Sequence, residues 1–152
     1  MKTALFPGTF DPFTRGHESI VKRTLSFMDE VVIAIVDNSE KHPLLTAERR
    51  LKMISDFYAN EPRVKVVAFS GPTTDVALEY GADVIVRGVR SVKDFEYEEM
   101  LASMYKDLIG IETILLYTDP ALALVSSTVV REMLKYGKDI SRYMPVGMKL
   151  DL

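Results

Sequence analysis

The chain has 152 residues, 47% hydrophobic and 27% charged, with a formal net charge of -3 and no cysteine. That is the composition of a single globular domain over residues 1–152, and it argues against a disordered or fibrous chain. It also excludes disulfides and thiolate metal sites, suits a reducing cytoplasm, and makes generic nucleic-acid binding a poor fit.

The first apolar run, Thr3–Phe6, reads as a strand, and Pro7 and Gly8 break it too early for a signal peptide. A helical pattern follows, with Ile20, Val21, Thr24, Leu25 and Met28 on one face. Val31–Val36 is the longest apolar run in the chain, far short of the ~20 residues that cross a bilayer. It is apolar at every position, as in a strand of a parallel sheet covered on both faces. The next stripe is Leu51, Ile54 and Tyr58, widened by Met53 and Phe57, with Thr46 as its N-cap and Glu48 at the positive end of the helix dipole. Val64–Phe69 is a third strand. Pro72 to Leu78 reads as a short helix stopped by Gly81, and Asp83–Arg87 as a fourth strand. The longest helix is expected from Lys93 to about Leu108, with Tyr97, Leu101, Met104 and Leu108 on its apolar side. A fifth strand at Thr113–Tyr117 and a helix from the Ser126-Ser127-Thr128 cluster to Gly137 complete the alternation. This order predicts an α/β domain: a doubly wound, five-stranded parallel sheet, Rossmann-like, with a helical C-terminus. Ligands of such sheets sit beyond the carboxyl ends of the strands, which directs attention to loops such as Asp37–Leu45 and Asp119–Val125.

The segment from Phe6 to His17 lies between the first strand and the first helix. Gly8 permits a tight exit and close approach by a ligand. Gly16 removes bulk before the helix, so His17 falls in the first turn, where unpaired N–H groups and the dipole favour phosphate. Neither the dinucleotide-fold glycine spacing nor a P-loop is present. Gly8-Thr9-Phe10-Asp11-Pro12 followed by Thr14-Arg15-Gly16-His17 resembles the signature of the nucleotidyltransferase superfamily with a His/Thr-x-Gly-His motif. Ser127-Thr128-Val129-Val130-Arg131, with Ser126 before it, resembles the second motif of that superfamily. Arg87-Gly88-Val89-Arg90 after the fourth strand, with Asp94-Phe95-Glu96-Tyr97-Glu98 opening the next helix, narrows the resemblance to the phosphopantetheine adenylyltransferase family, from Thr3 to about Arg131.

The resemblance implies transfer of the adenylyl group of ATP to 4'-phosphopantetheine, with Mg²⁺ accompanying ATP and no covalent enzyme intermediate. The acceptor phosphate is the nucleophile, so catalysis is positioning and electrostatic stabilisation. It implies that His17 stabilises the transition state and contacts ATP, and that Lys41 serves catalysis by binding the acceptor phosphate. Thr9, Phe10, Gly88, Val89, Arg90 and Glu98, with Leu122, Ala123, Leu124, Val125, Ser126, Ser127 and Thr128, align with ATP contacts. Thr9, Lys41, Thr73 and Arg87 align with acceptor contacts. It further implies a cytoplasmic homo-oligomer, typically a hexamer, with coenzyme A as a feedback ligand and with neither nucleic acid nor membrane as partner. Asp11 admits two readings, an aid to metal-bound phosphate or a structural turn residue. His42 reads as a solvated loop residue. Leu122, Val125 and Tyr105 depart from common family residues on the adenine side and near the pantetheine end. A nicotinamide mononucleotide adenylyltransferase, a glycerol-phosphate cytidylyltransferase and a non-catalytic nucleotide-binding module are the alternatives.

Overall fold

The computed structural model describes residues 1–150, the side chain of Ser39 excepted; Asp151 and Leu152, the end of the expected domain, lie outside the described residues. The strands are β1 (Thr3–Gly8), β2 (Glu30–Val36), β3 (Val64–Phe69), β4 (Val84–Val89) and β5 (Glu112–Tyr117). The helices are α1 (Arg15–Thr24), α2 (Ala47–Phe57), α3 (Thr73–Glu79), α4 (Val92–Ile109) and α5 (Ser127–Lys135), with 3₁₀ turns at Ser39–Lys41, Pro120–Leu122 and Ser141–Tyr143. The five strands are parallel, in the order β3-β2-β1-β4-β5, which is the doubly wound arrangement expected from the alternation.

The uninterrupted apolar run of β2 is explained by its two covered faces. Val31, Ile33 and Ile35 point into a core shared with Ala4 and Phe6 of β1, Ile20 and Val21 of α1, Met53 and Ile54 of α2, and Val130 of α5. Val32 and Ala34, at the alternate positions, enter a second core with Leu5, Val76 and Ala77 of α3, Ile85 and Tyr105 of α4. Each full burial of a Val or Ile side chain is worth about 1.5–3 kcal/mol, so the five central residues of β2 hold both layers to the sheet.

The sheet opens at one place. β1 pairs with β2 along its whole length, from Thr3↔Glu30 to Gly8↔Ile35. Towards β4 it pairs only at Ala4↔Val84 and Leu5↔Ile85, after which the two strands part. Proline is normally kept out of a central strand because it cannot donate to the ladder. Pro7 is tolerated because the β4 ladder has already ended, and its carbonyl accepts from the Arg87 guanidinium. The parting lies where the strand order reverses, which is where open α/β sheets bind ligands.

Several boundaries differ from the sequence expectation. β4 continues past the expected end at Arg87 through Gly88 and Val89, which pair with Leu116 and Tyr117 of the edge strand β5. α1 stops at Thr24, and Met28 is buried from the turn beyond it rather than from the helix. The cap at Thr46 is present, its hydroxyl accepting from Arg49 N at 3.2 Å. The expected face of α4 is corrected: Tyr97, Met104 and Leu108 are exposed at 57%, 43% and 62%. Glu98 and Tyr105 are buried instead, with Leu101 and Ile109 packed against the second core. Apolar residues run around this helix on two overlapping stripes, and the sheet takes the one whose Glu98 pairs with Arg87 of β4. Tyr105 therefore lies in the core beside Leu5 and Ile85.

Candidate active site

β1 ends by turning through Thr9 to Thr14 into α1, and this loop folds around aromatic packing. The Phe10 ring stands edge-on to Phe6 at 5.1 Å and to His17 at 5.0 Å, and Phe13 lies 5.4 Å from His17. Phe10 adopts φ +53°, a left-handed conformation that is unusual for a bulky residue, and its ring is buried. Gly8 is required by that ring: a Cβ there would meet Phe10 Cζ at 2.9 Å. Making room for Phe10 is thus a second reason for this glycine, beside the approach of a ligand. At Gly16, by contrast, a Cβ would meet Thr14 Oγ1 at 3.4 Å and the Val125 carbonyl at 3.6 Å, ordinary contact distances.

His17 is fixed by α1 itself. Thr14 N donates to its Nδ1 at 3.0 Å, so Nδ1 is the acceptor and the ring proton resides on Nε2. Burial, and then the positive charges of Arg87 and Arg90, lower the imidazole pKa from 6.5 to about 3. The group is thus a neutral hydrogen-bond donor at physiological pH rather than a cation.

His17 lines a cleft of about 300 Å³ over the gap between β1 and β4. Thr9, Phe10, Arg87, Gly88, Arg90, Glu98, Leu122, Val125, Ser126, Ser127 and Thr128 border the same cleft, so most of the residues expected to bind ATP converge. Val89 and Ala123 border an adjoining apolar hollow with Val92, Phe95 and Tyr117, and Leu124 is exposed beside it. Lys41 and Thr73 lie outside the cleft lining, Lys41 exposed on the 3₁₀ turn after β2 and Thr73 at the start of α3 after β3. They sit over the other half of the sheet, on the same carboxyl edge of the strands.

Arg23, Arg87, Arg90 and Arg131 line the cleft together with Asp11, Asp94, Glu98 and Asp119, and each of these carboxylates already accepts a hydrogen bond. Asp11 accepts from Leu44 N and Leu45 N, both at 2.8 Å. Asp119 accepts from Ala121 N at 2.9 Å, and Asp94 from Arg90 N at 3.2 Å. Glu98 takes Arg87 Nε at 3.0 Å and Nη2 at 2.8 Å. The structural reading of Asp11 is therefore the one the geometry supports. Of the five N–H donors of a guanidinium, Arg87 uses three, two on Glu98 and one on Pro7 O, and keeps two. The hydroxyls of the Ser126–Thr128 cluster are also engaged: Ser126 caps Val129 N, Ser127 donates to Pro12 O, and Thr128 accepts from Arg131. What the cluster leaves open are the O–H donors of Ser126 and Thr128 and the first backbone N–H groups of α5, next to those of α1, the part of a helix that binds phosphate.

Two arginines of the cleft, Arg23 and Arg131, are not among the site residues expected from the sequence. Arg131 donates to Asp11 O at 2.8 Å and closes the second motif onto the first. Arg23 donates to Tyr117 O at 2.7 Å, and nothing in its sequence context distinguishes it from a cation at a helix C-terminus.

A cytidylyltransferase-like family profile matches residues 5–133. A phosphopantetheine adenylyltransferase of Bacteroides fragilis is 56% identical over 150 residues, covering 99% of this chain and all of the relative. One from Phocaeicola vulgatus is 54% identical over 151 residues, with the same coverage of both chains. Among solved structures, a putative nicotinate-nucleotide adenylyltransferase of Vibrio parahaemolyticus superposes with a TM-score of 0.64 at 22% identity, over 95% of this chain and 94% of that one. A lipopolysaccharide core biosynthesis protein of Thermoplasma volcanium gives 0.58 at 23%, over 78% and 97%; both structures share the fold. On its full-length similarity to the curated relatives, the chain belongs to the phosphopantetheine adenylyltransferase family, within the cytidylyltransferase-like group.

Proposed function

We infer that the chain transfers the adenylyl group of ATP to 4'-phosphopantetheine, releasing pyrophosphate and forming dephospho-coenzyme A. The observation that carries this reading is the cleft at the β1–β4 parting, where spare arginine donors, two helix N-termini and a neutral histidine face one space while every carboxylate is already bonded. A triphosphate fits such a donor set.

An acceptor phosphate oxygen attacks the α-phosphorus of ATP, the bond from that phosphorus to the bridging oxygen of the β-phosphate breaks, and pyrophosphate leaves. The nucleophile belongs to the substrate, so the chain needs no nucleophile of its own. His17 donates Nε2–H to the charge that develops at the α-phosphate. Its low pKa keeps it neutral, and the Thr14 amide on Nδ1 both leaves the proton on Nε2 and holds the ring, so no reorganisation is required at the moment of reaction. Arg90, about half exposed, reaches the phosphates, and the N–H groups of Ser127 and Thr128 cradle them. Glu98 borders the ATP cleft and holds the guanidinium of Arg87. Gly88 and Val89 bring backbone to the nucleotide, and Leu122 to Val125 close over it. Thr9, Lys41, Thr73 and the two spare N–H groups of Arg87 receive the acceptor from the β2–β3 half of the sheet.

Mg²⁺ would enter with ATP and neutralise phosphate charge there, as it commonly does while keeping several waters; we assign no side chain of the chain to it. The exposed apolar face of α4, with Tyr97, Met100, Met104 and Leu108, supports a homo-oligomer, which we take to be a hexamer as in the family. Coenzyme A, which contains the product, would compete at the same site as a feedback ligand. No helix among the described residues is long and apolar enough to cross a membrane, and a cysteine-free chain suits reaction in the cytoplasm.

The test is pyrophosphate release from Mg-ATP with 4'-phosphopantetheine and nicotinamide mononucleotide as parallel acceptors. Release with phosphopantetheine alone is expected. Release with the mononucleotide alone would discard the acceptor assignment. ATP binding with no release would point to a binding module.

A further inference from the structure

Arg50 of α2 has the largest fully buried side chain among the described residues, 1% exposed, on the same helix face as Met53, Ile54 and Phe57. Among the described residues no carboxylate lies within ion-pair distance of it. Asp11 and Asp37 contribute only their nearby negative charge. Its guanidinium is directed to backbone: Nε donates to Leu45 O at 3.1 Å, and Nη1 to Thr9 O at 2.7 Å and Val36 O at 2.9 Å. A buried charge without a close counter-ion is costly, so its three acceptors have to be good ones.

Those acceptors share a geometry. Val36 is the last residue of β2, where the loop bearing Lys41 departs. Leu45 is where that loop returns to α2, and Thr9 is on the first loop beside the cleft. Asp11, also on the first loop, grips the return end from the other side through Leu44 N and Leu45 N. Arg50 and Asp11 together therefore pin both ends of the Lys41 loop to the segment that carries Thr9.

We propose that Arg50 is a positioning residue for adenylyl transfer. It touches neither substrate but fixes the distance between the loop that presents Lys41 to the acceptor phosphate and the loop that borders the ATP cleft. The proposal rests on the adenylyltransferase reading and on Lys41 as an acceptor contact. A misplacement of about 1 Å in such an arrangement costs on the order of 10²-fold in rate. Apart from the first loop, whose Thr9 carbonyl Arg50 holds, the ATP cleft is lined mainly by α1, β4 and α5, so ATP binding should change much less than acceptor binding.

The experiment compares the wild type with Arg50→Lys and Arg50→Met in the full chain. In Arg50→Lys we expect kcat to fall ~10²-fold and the phosphopantetheine KM to rise about tenfold, with the calorimetric Kd for ATP within about threefold of wild type. Lysine keeps the charge but lacks the planar fork that serves three carbonyls. Hydrogen exchange should accelerate across residues 38–45 while α5 is unchanged. If Arg50→Met does not fold, Asp11→Asn loosens the same loop from the other side and should give the same split. Lowered thermal stability with kcat, both substrate constants and loop exchange unchanged would overturn the proposal, leaving Arg50 a structural residue only. A wild type that releases no pyrophosphate would instead overturn the functional reading, while loop exchange would still report on the brace.

Discussion

The pKa of His17 makes a prediction that is independent of turnover. The imidazole ionises near 6.5 in an unfolded chain and is lowered to about 3 in the fold. The folded state disfavours the proton, so the stability contributed by neutral His17 is fully present above pH 6.5. It is lost as the pH falls from there towards 3. Between pH 7 and pH 5 the unfolded chain takes up most of a proton that the folded chain refuses. One and a half units below 6.5, at 1.36 kcal/mol per unit, amounts to about 2 kcal/mol. His17→Gln removes this linkage. Urea unfolding of the wild type and His17→Gln at both pH values, at one chain concentration, should show the wild type losing about 2 kcal/mol more than the variant. For a chain of this size that is a midpoint difference of roughly 1 M. The chain has two histidines, so His42→Asn leaves a single imidazole signal for a proton NMR titration. A His17 that titrates near 6.5, or equal acid sensitivity of wild type and His17→Gln, would refute the buried neutral donor.

Further predictions concern the site. His17→Ala should lower kcat by ~10²–10³, the usual effect of losing one preorganised donor to a charged transition state, and near-normal turnover would remove it from catalysis. Lys41→Ala should raise the phosphopantetheine KM well above any change in the ATP KM, whereas equal losses would contradict its assignment to the acceptor. Gly8→Ala should destabilise the chain by about 1–3 kcal/mol in urea unfolding, because the new methyl meets the Phe10 ring at 2.9 Å. An unchanged midpoint would show that the ring can move aside at no cost.

The strands and their order are legible in the sequence because burial on both faces leaves a mark on residue type: Val31–Val36 can hardly be anything but a covered strand. The position of His17 in a first helical turn follows from glycine and proline spacing alone. What escapes the sequence is set by tertiary partners. Arg50 shares a helix face with Met53, Ile54 and Phe57, but an arginine there gives no sign of being buried, because what allows it is a set of three backbone carbonyls, two of them from other segments. The buried stripe of α4 is hidden because apolar residues circle that helix, and the choice of face rests on the Arg87–Glu98 pair between β4 and α4. The Ser126–Thr128 hydroxyls read from the sequence as phosphate donors, but their further contacts are tertiary: Ser127 donates to Pro12 O, while Ser126 and Thr128 accept and keep their O–H donors.

The bond from Thr14 N to His17 Nδ1 joins a helix end to the imidazole proposed as transition-state donor. The ring cannot leave this position without releasing the amide that starts α1, so, on that proposal, helix fraying and loss of the donor are one event. The Thr14 amide proton is therefore an internal gauge of the site: its exchange rate with solvent counts how often the enzyme disarms itself.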